Sequence, residues 1–392
     1  MSIVAKSVLT RHRSSFEAGS MAARDCLRHF SGEAPKLLLA YLTVNHDQPD
    51  FLRGLASVLG PRVPVIGCSG QGVMGRGVVY EEGYAASVTA LGGHSLSVAT
   101  AHAENIQTDT RAKGLALGKA LRQGLASPPR VALLHYDPLA GADLDVLLGA
   151  VHYELECPLL GGAAAHFFDA AAMTTTFQYF GGHVYSKGAV GVALSGDFGC
   201  EMAFATGCAP VGIELTVTRA IGNVILELDS RPALEVWTDL TGADASDPVA
   251  SSALAIGMPS PDASQGHLIR AAFVLDPVQQ GIIVATAVAE GTVLTLYHRT
   301  VEEVLDGAAK LGAELKSRLG DRQPKVVLGF ECGARTRPFL GSEATNEENQ
   351  ALQALVAPDA EWGGVTCWGE LFPVGGRPGF HNYTYPLLAL TD

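Results

Sequence analysis

Over residues 15–30 apolar and small side chains recur at three- and four-residue steps, and that pattern predicts a helix. A continuous apolar run at 36–43 (KLLLAYLT) then predicts a buried strand, and a second helix begins near Gln48. The strand predicted at 63–68 runs straight into small residues, Ser69, Gly70, Gly72, Gly75 and Gly77. Two apolar strands follow at 84–91 and 95–101, and Gly92-Gly93 between them predicts a two-residue hairpin turn. The order is β-α-β-loop-β-β.

The order then returns, with helix 110–124, strand 131–136, helix 143–154, the segment PLLGGAAAH, and strands 175–180, 188–194 and 201–205. PVIGCSGQG and PLLGGAAAH occupy matching places, each a Pro-led strand ending in small residues, so an internal duplication is expected. Past Cys208 the pattern becomes a meander: strand 213–219, a Gly222-Asn223 turn, strand 224–228, and a helix at 233–240 opened by Pro232. A loop is predicted at 242–252, then strands at 267–275, 282–287 and 293–297. Thr300-x-x-Glu303 reads as a capping box before a long helix whose apolar face is Val301, Val304, Leu305, Ala308, Leu311 and Leu315. Strand 325–331, a helix capped by Thr345 and Glu348, GGVTCWGELFPVGG and strand 382–390 give the first theme a third time. The expected fold class is α/β (α+β), with layered mixed sheets built from duplicated β-α-β-loop-β-β units. Its expected division is a helical lead-in at 1–30, a first domain at 31–208 and a second at 209–392.

Composition narrows the function more than the fold. At 392 residues and 47% hydrophobic content the chain can bury two sizeable cores, and 45 glycines without a period suit many tight turns. A formal net charge of −13 repels phosphate backbones and excludes nucleic acid as the expected partner. No apolar run is long enough to span a membrane, and the polar-interrupted N-terminus does not read as a signal peptide, so a cytoplasmic protein is expected. Seven scattered cysteines without a CxxC pair argue against a disulfide framework or a structural zinc.

Several segments in order resemble the FIST family, which pairs a FIST N domain with a FIST C domain: PVIGCSGQGV, PLLGGAAA and VYSKGAVGVALSG in the first part. In the second part the resemblance rests on TRAIGNVILELDSRPALEVW, HLIRAAFVLD, AEGTVLTLYHR, CGARTRPFLG and WGELFPVGGRPGFHNYTYPLLAL. It implies a bacterial sensory protein in signal transduction that binds a small ligand, with an amino acid as the proposed input. The chain carries no kinase, cyclase, receiver or DNA-binding signature, so output is expected in trans, through a separate partner such as a histidine kinase or cyclase.

Candidate site residues cluster beside the Gly-rich turns. Arg335, Glu370, His381 and Asn382 flank predicted strand ends, where a guanidinium can hold a carboxylate and a carboxylate an ammonium group. The same residues have a structural reading, in which Arg335 pairs with Glu370 and Asn382 caps a turn. Arg270, within an apolar strand, is either a buried ion-pair partner or a pocket donor. Cys68 and Ser69 end a buried strand, so a cysteine-dependent enzyme is a further reading, against the commoner inert buried thiol. Cys332 and Cys367 raise redox sensitivity with the same alternative. Some FIST proteins are haem-bound nitric oxide sensors, and the resemblance makes His166, beside Phe167 and Phe168, and His183 the candidate axial ligands. The expected cofactor is none or haem. Ligand identity and oligomeric state are not readable from the sequence.

Overall fold

The computed structural model describes residues 3–31, 33–167, 175–242, 252–263 and 266–392. Three of the continuous apolar runs become strands Leu37–Thr43, Val131–Tyr136 and Pro324–Cys332. Each is followed by an α-helix (Gln48–Leu59, Leu144–Leu155, Ser342–Val356), preceded in the second and third cases by a short helical turn, and by a second strand laid parallel to the first (Val65–Gly70, Leu159–Ala163, Glu361–Cys367). Their unbroken hydrophobicity has a plain cause, since helices cover one face and the inner faces of the other sheets cover the second.

After each parallel pair the chain leaves its own sheet. The hairpin Gly72–Gly75 with Val78–Tyr80 joins the edge of Glu361–Cys367, and Gln178–Phe180 with His183–Tyr185 joins Val65–Gly70. Glu370–Val374 with Arg377–His381 joins Leu159–Ala163. Every unit therefore completes the sheet of another, and the lending runs round a ring of three. A return strand (Ala86–Gly92, Ala189–Gly196, Tyr385–Thr391) and an edge strand (Val4–Thr10, Leu96–Ala103, Gly199–Ala205) finish each six-stranded sheet, so all three share one strand order. The expected duplication is a triplication in space.

This arrangement corrects the hairpin expected at Gly92-Gly93. Ala86–Gly92 pairs with Val4–Thr10 and Leu37–Thr43, whereas Leu96–Ala103 pairs with Ala189–Gly196 in the next sheet. Two apolar strands joined by two glycines read as a hairpin locally, but here the turn carries the chain between sheets. The helix start expected at Thr345 is also moved: the helix begins at Ser342, Thr345 Oγ1 donates to Gly341 O at 2.8 Å, and Glu348 faces a buried arginine. The strand expected at 267–275 is two strands, His267–Arg270 and Val274–Asp276. Residues 243–251 of the expected loop lie outside the described residues.

The meander forms a fourth, eight-stranded sheet between Ala209–Ile221 and Val293–His298. It interrupts the third unit between its edge strand and the helix Val301–Leu319, which opens on the expected Thr300–Glu303 capping box. Residue 209, where a second domain was expected to begin, is the point where the insert leaves the ring. Among the described residues no helix is long and apolar enough to cross a membrane.

One backbone device recurs in every unit. Gly67, Gly161 and Gly364 stand opposite Ala40, Leu134 and Gly329 in the parallel ladders, and a Cβ on them would lie 1.8, 2.3 and 2.1 Å from the partner's carbonyl oxygen. Only glycine permits that approach. The next residue of each first strand, Tyr41, His135 and Phe330, points to the centre of the ring. Their ring centroids stand 5.2 to 6.5 Å apart, edge-on or tilted. His135 Nδ1 lies 3.0 Å from Gly162 O and so carries the proton, which leaves Nε2 to accept from Tyr41 OH at 3.1 Å. Burial holds this imidazole neutral, with its pKa down to about 4.

Candidate functional site

Beyond the central rings, the carboxyl ends of the parallel strands open into a crevice of about 500 Å³. Open α/β sheets offer ligands space at such ends because strand-end loops diverge there. All three units contribute: Asn45 follows Leu37–Thr43, Phe167 follows Leu159–Ala163, and Arg337 with Pro338 follows Pro324–Cys332. Gln71 sits where the chain crosses from its own sheet into the third unit's, and Glu81, Glu82 and Gly83 end the lent hairpin.

Gln71 is locked. Its Nε2 donates to Glu81 Oε1 and Gly333 O, both at 2.8 Å, and its Oε1 accepts from Trp368 Nε1 at 3.1 Å. A Cβ at position 333 would lie 2.4 Å from that oxygen, so the glycine makes room for the amide. The Glu81 carboxyl also accepts from Thr336 Oγ1 at 2.6 Å and from Arg337 N at 2.9 Å. Burial raises its pKa, and these hydrogen bonds work against the rise. At the mouth Arg337 pairs with Glu82, both largely exposed. The lining thus carries one guanidinium, two carboxyl groups, a fixed amide and an aromatic ring.

Two residues away from Arg337, Arg335 does something else. It is fully buried, with Nη2 2.8 Å from Glu348 Oε1, Nε 3.6 Å from Glu331 Oε1 and Nη1 donating to Thr206 O at 3.3 Å. Burial and the adjacent Glu348 push Glu331 well above the usual carboxyl range. Arg335 does not meet Glu370, which corrects the expected pairing.

Glu370, His381, Asn382 and Arg270 do gather, at the joint between the insert and the third unit. Glu370 stands opposite His381 in the ladder. Its carboxyl accepts from Thr384 N at 3.2 Å, Thr384 Oγ1 at 2.9 Å and Gly369 N at 3.1 Å, and burial brings its pKa up to about 8. His381 Nε2 lies 3.1 Å from Phe372 O, and burial followed by the charge of Arg270 lowers its pKa to about 3. Asn382 caps no turn of its own: its Oδ1 accepts from Ala271 N at 3.0 Å and its N–H donates to Ile269 O at 3.1 Å. Arg270 donates to Phe380 O and to Thr286 Oγ1, and burial lowers its pKa to about 10. Arg270 and Asn382 thus hold backbone across the joint, whereas Glu370 and His381 hold backbone within the third unit.

Cys68 is fully buried, and burial alone raises its thiol far above the ordinary value, which opposes a thiolate nucleophile. Ser69 Oγ accepts from Phe177 N at 3.0 Å. Cys332 and Cys367 are adjacent in the ladder, buried and raised in pKa. His166 is half-buried with Phe167 edge-on at 5.6 Å, and His183 is exposed on its hairpin; neither lines the crevice. Phe168 lies outside the described residues. Among the described residues no group of three His, Cys, Asp or Glu is placed to hold a metal ion.

The FIST N domain matches residues 36–231 and the FIST C domain matches residues 233–373, together most of the chain. The chain belongs to the FIST family. FIST domains are sensory domains generally thought to bind small ligands. An uncharacterized protein of Mycobacterium tuberculosis is 28% identical to this FIST protein over 216 residues, 53% of this chain and 55% of the relative. Another, of Methanocaldococcus jannaschii, is 30% identical over 94 residues, 24% of this chain and 18% of the relative. The chain spans about half the length of the mycobacterial relatives it matches. Among solved structures, a cyanuric acid hydrolase from A. caulinodans superposes over 99% of both chains at 10% identity and a TM-score of 0.38. PurL of T. maritima complexed with ATP gives a TM-score of 0.26 at 10% identity, over 99% of this chain and 71% of that one.

The sequence reading missed Gln71, Glu81, Glu82 and Arg337. Gln71 was within reach, since it stands inside PVIGCSGQG, and Arg337 stands inside CGARTRPFLG. Glu81 and Glu82 carry no local signal, because their place at the mouth depends on a hairpin lent to a strand almost 300 residues further along.

Proposed function

We propose that this FIST protein is a sensor whose small ligand, amino-acid-like in its charges, binds in the crevice at the strand ends. The observation that carries the reading is the convergence there of Arg337, Glu81 and Glu82 beside Phe167. The exposed guanidinium can take a ligand carboxylate in two-point fashion, and the carboxylate of Glu82 can take its ammonium group. A zwitterion would part the Arg337–Glu82 pair and offer each partner an opposite charge. Because the lining comes from all three units, occupancy biases how they close on one another. The signal then passes in trans to a partner such as a histidine kinase or a cyclase.

Thermal-shift measurements with the common amino acids test this. An input should raise the melting temperature with concentration, by about 2.7 kcal/mol of stability at 100 times Kd, and Arg337→Ala or Glu82→Gln should abolish the rise. An equal rise in both variants overturns the site. A Soret band gained with added haem and shifted by nitric oxide would replace the amino-acid reading with haem-based gas sensing through His166 or His183.

A further inference from the structure

A second cavity, of about 400 Å³, lies where the insert meets the second unit. Its walls include Tyr136 and Leu144 of that unit, Phe273 and Thr286 of the insert, and Trp368 and Phe380 of the third unit. Tyr136 is fully buried, and among the described residues its hydroxyl has no hydrogen-bond partner. A buried tyrosine hydroxyl normally finds one. Beside it stands Gly369, where a Cβ would lie 3.3 Å from the hydroxyl and 2.3 Å from the Phe380 ring, so a side chain there would press on a wall of the cavity.

The charged side chains that line the cavity are already engaged. Asp137 accepts from Thr176 Oγ1 at 2.9 Å, Lys187 N at 2.7 Å and Leu139 N at 2.8 Å, and Asp143 caps the helix Leu144–Leu155. Arg270 lies over the Phe380 ring, 5.2 Å from its centroid, and donates to Phe380 O and Thr286 Oγ1. What remains on offer is four aromatic side chains, the Tyr136 hydroxyl and, at the exposed rim, the amide oxygen of Asn223.

We infer that this cavity is a second small-molecule site, for a flat, uncharged aromatic ligand with one polar atom that pairs with Tyr136 OH. Aromatic walls favour a planar ligand by stacking and edge contacts, and the volume lies within the range of small-molecule pockets. The inference does not rest on the crevice being a ligand site. It does touch it, because Trp368 lines this cavity and donates to Gln71, which lines the crevice.

The test uses the full chain with p-cresol and indole as probes, followed by saturation-transfer NMR and calorimetry. Both should bind saturably, Tyr136→Phe should weaken binding about 5-fold, and Ala285→Phe, which fills the cavity from the insert side, should abolish it. Ala142→Leu fills it from the other wall and stands in if Ala285→Phe folds poorly. The emission change caused by p-cresol should disappear in Trp368→Phe. Failure of both probes to bind, or binding that the filling variants leave unchanged, overturns the inference; loss of amino-acid binding in Arg337→Ala leaves it standing.

Discussion

The axis of the ring and its mouth are built from the same three units, and they use the repetition in opposite ways. On the axis, equivalent positions carry Tyr41, His135 and Phe330, three rings closed on one another above three equivalent glycines. At the mouth the chain presents Asn45 and Arg337 beyond first strands and Phe167 beyond a second strand, and these share no chemistry. Packing tolerates only small departures from a common shape, whereas a binding surface gains from difference. The copies stay alike where they must fit and diverge where they can select.

The hardest blow to this contrast falls on the axis. Gly161→Ala would press a Cβ against Leu134 O, and a loss of about 4 kcal/mol or more in urea unfolding, or failure to fold, is expected. A loss under 1 kcal/mol would mean that the axis is as forgiving as the mouth. Next comes a pair two residues apart. Arg335→Met leaves two buried carboxyl groups without their cation and should cost about 3–5 kcal/mol, while Arg337→Ala at the exposed mouth should stay within about 0.5 kcal/mol. Tyr41→Phe removes the donor to His135 Nε2 and should cost about 2 kcal/mol by the same measurement.

A further set of effects is read from pH. His381, whose pKa is lowered to about 3 in the fold, contributes stability that is full above its ordinary value near 6.5 and is lost as pH falls below it. Replacing it with Asn should flatten the fall in unfolding free energy between pH 6 and pH 4 by about 1.4 kcal/mol per pH unit. Glu370, raised to about 8, has the opposite sign: its contribution is present below its ordinary value and is lost as pH rises toward 8. Glu370→Gln should therefore flatten the decline between pH 5 and pH 8.

How much of this was legible follows from the range of each interaction. Helix Thr110–Gln123, strand Val131–Tyr136 and the Thr300–Glu303 box are local patterns and read correctly from the sequence. The partners of strands are not local. Gly92-Gly93 has the composition of a hairpin, and only the ladders of Val4–Thr10 and Ala189–Gly196 show that the chain crosses between sheets there. The site suffered in the same way. Arg335 and Arg337 are indistinguishable as residue types, and what separates them is that Glu331 and Glu348 close over one while the mouth exposes the other.

The lent hairpins also set a timetable. Strand Gly72–Gly75 pairs with Glu361–Cys367, with Val73 opposite Val365, so the edge it completes does not exist until nearly the whole chain has been made. At the usual ~5–20 residues per second of synthesis that wait is on the order of tens of seconds, during which an apolar strand edge stands open to other chains. Refolding from denaturant should be slow and concentration-sensitive for the same reason.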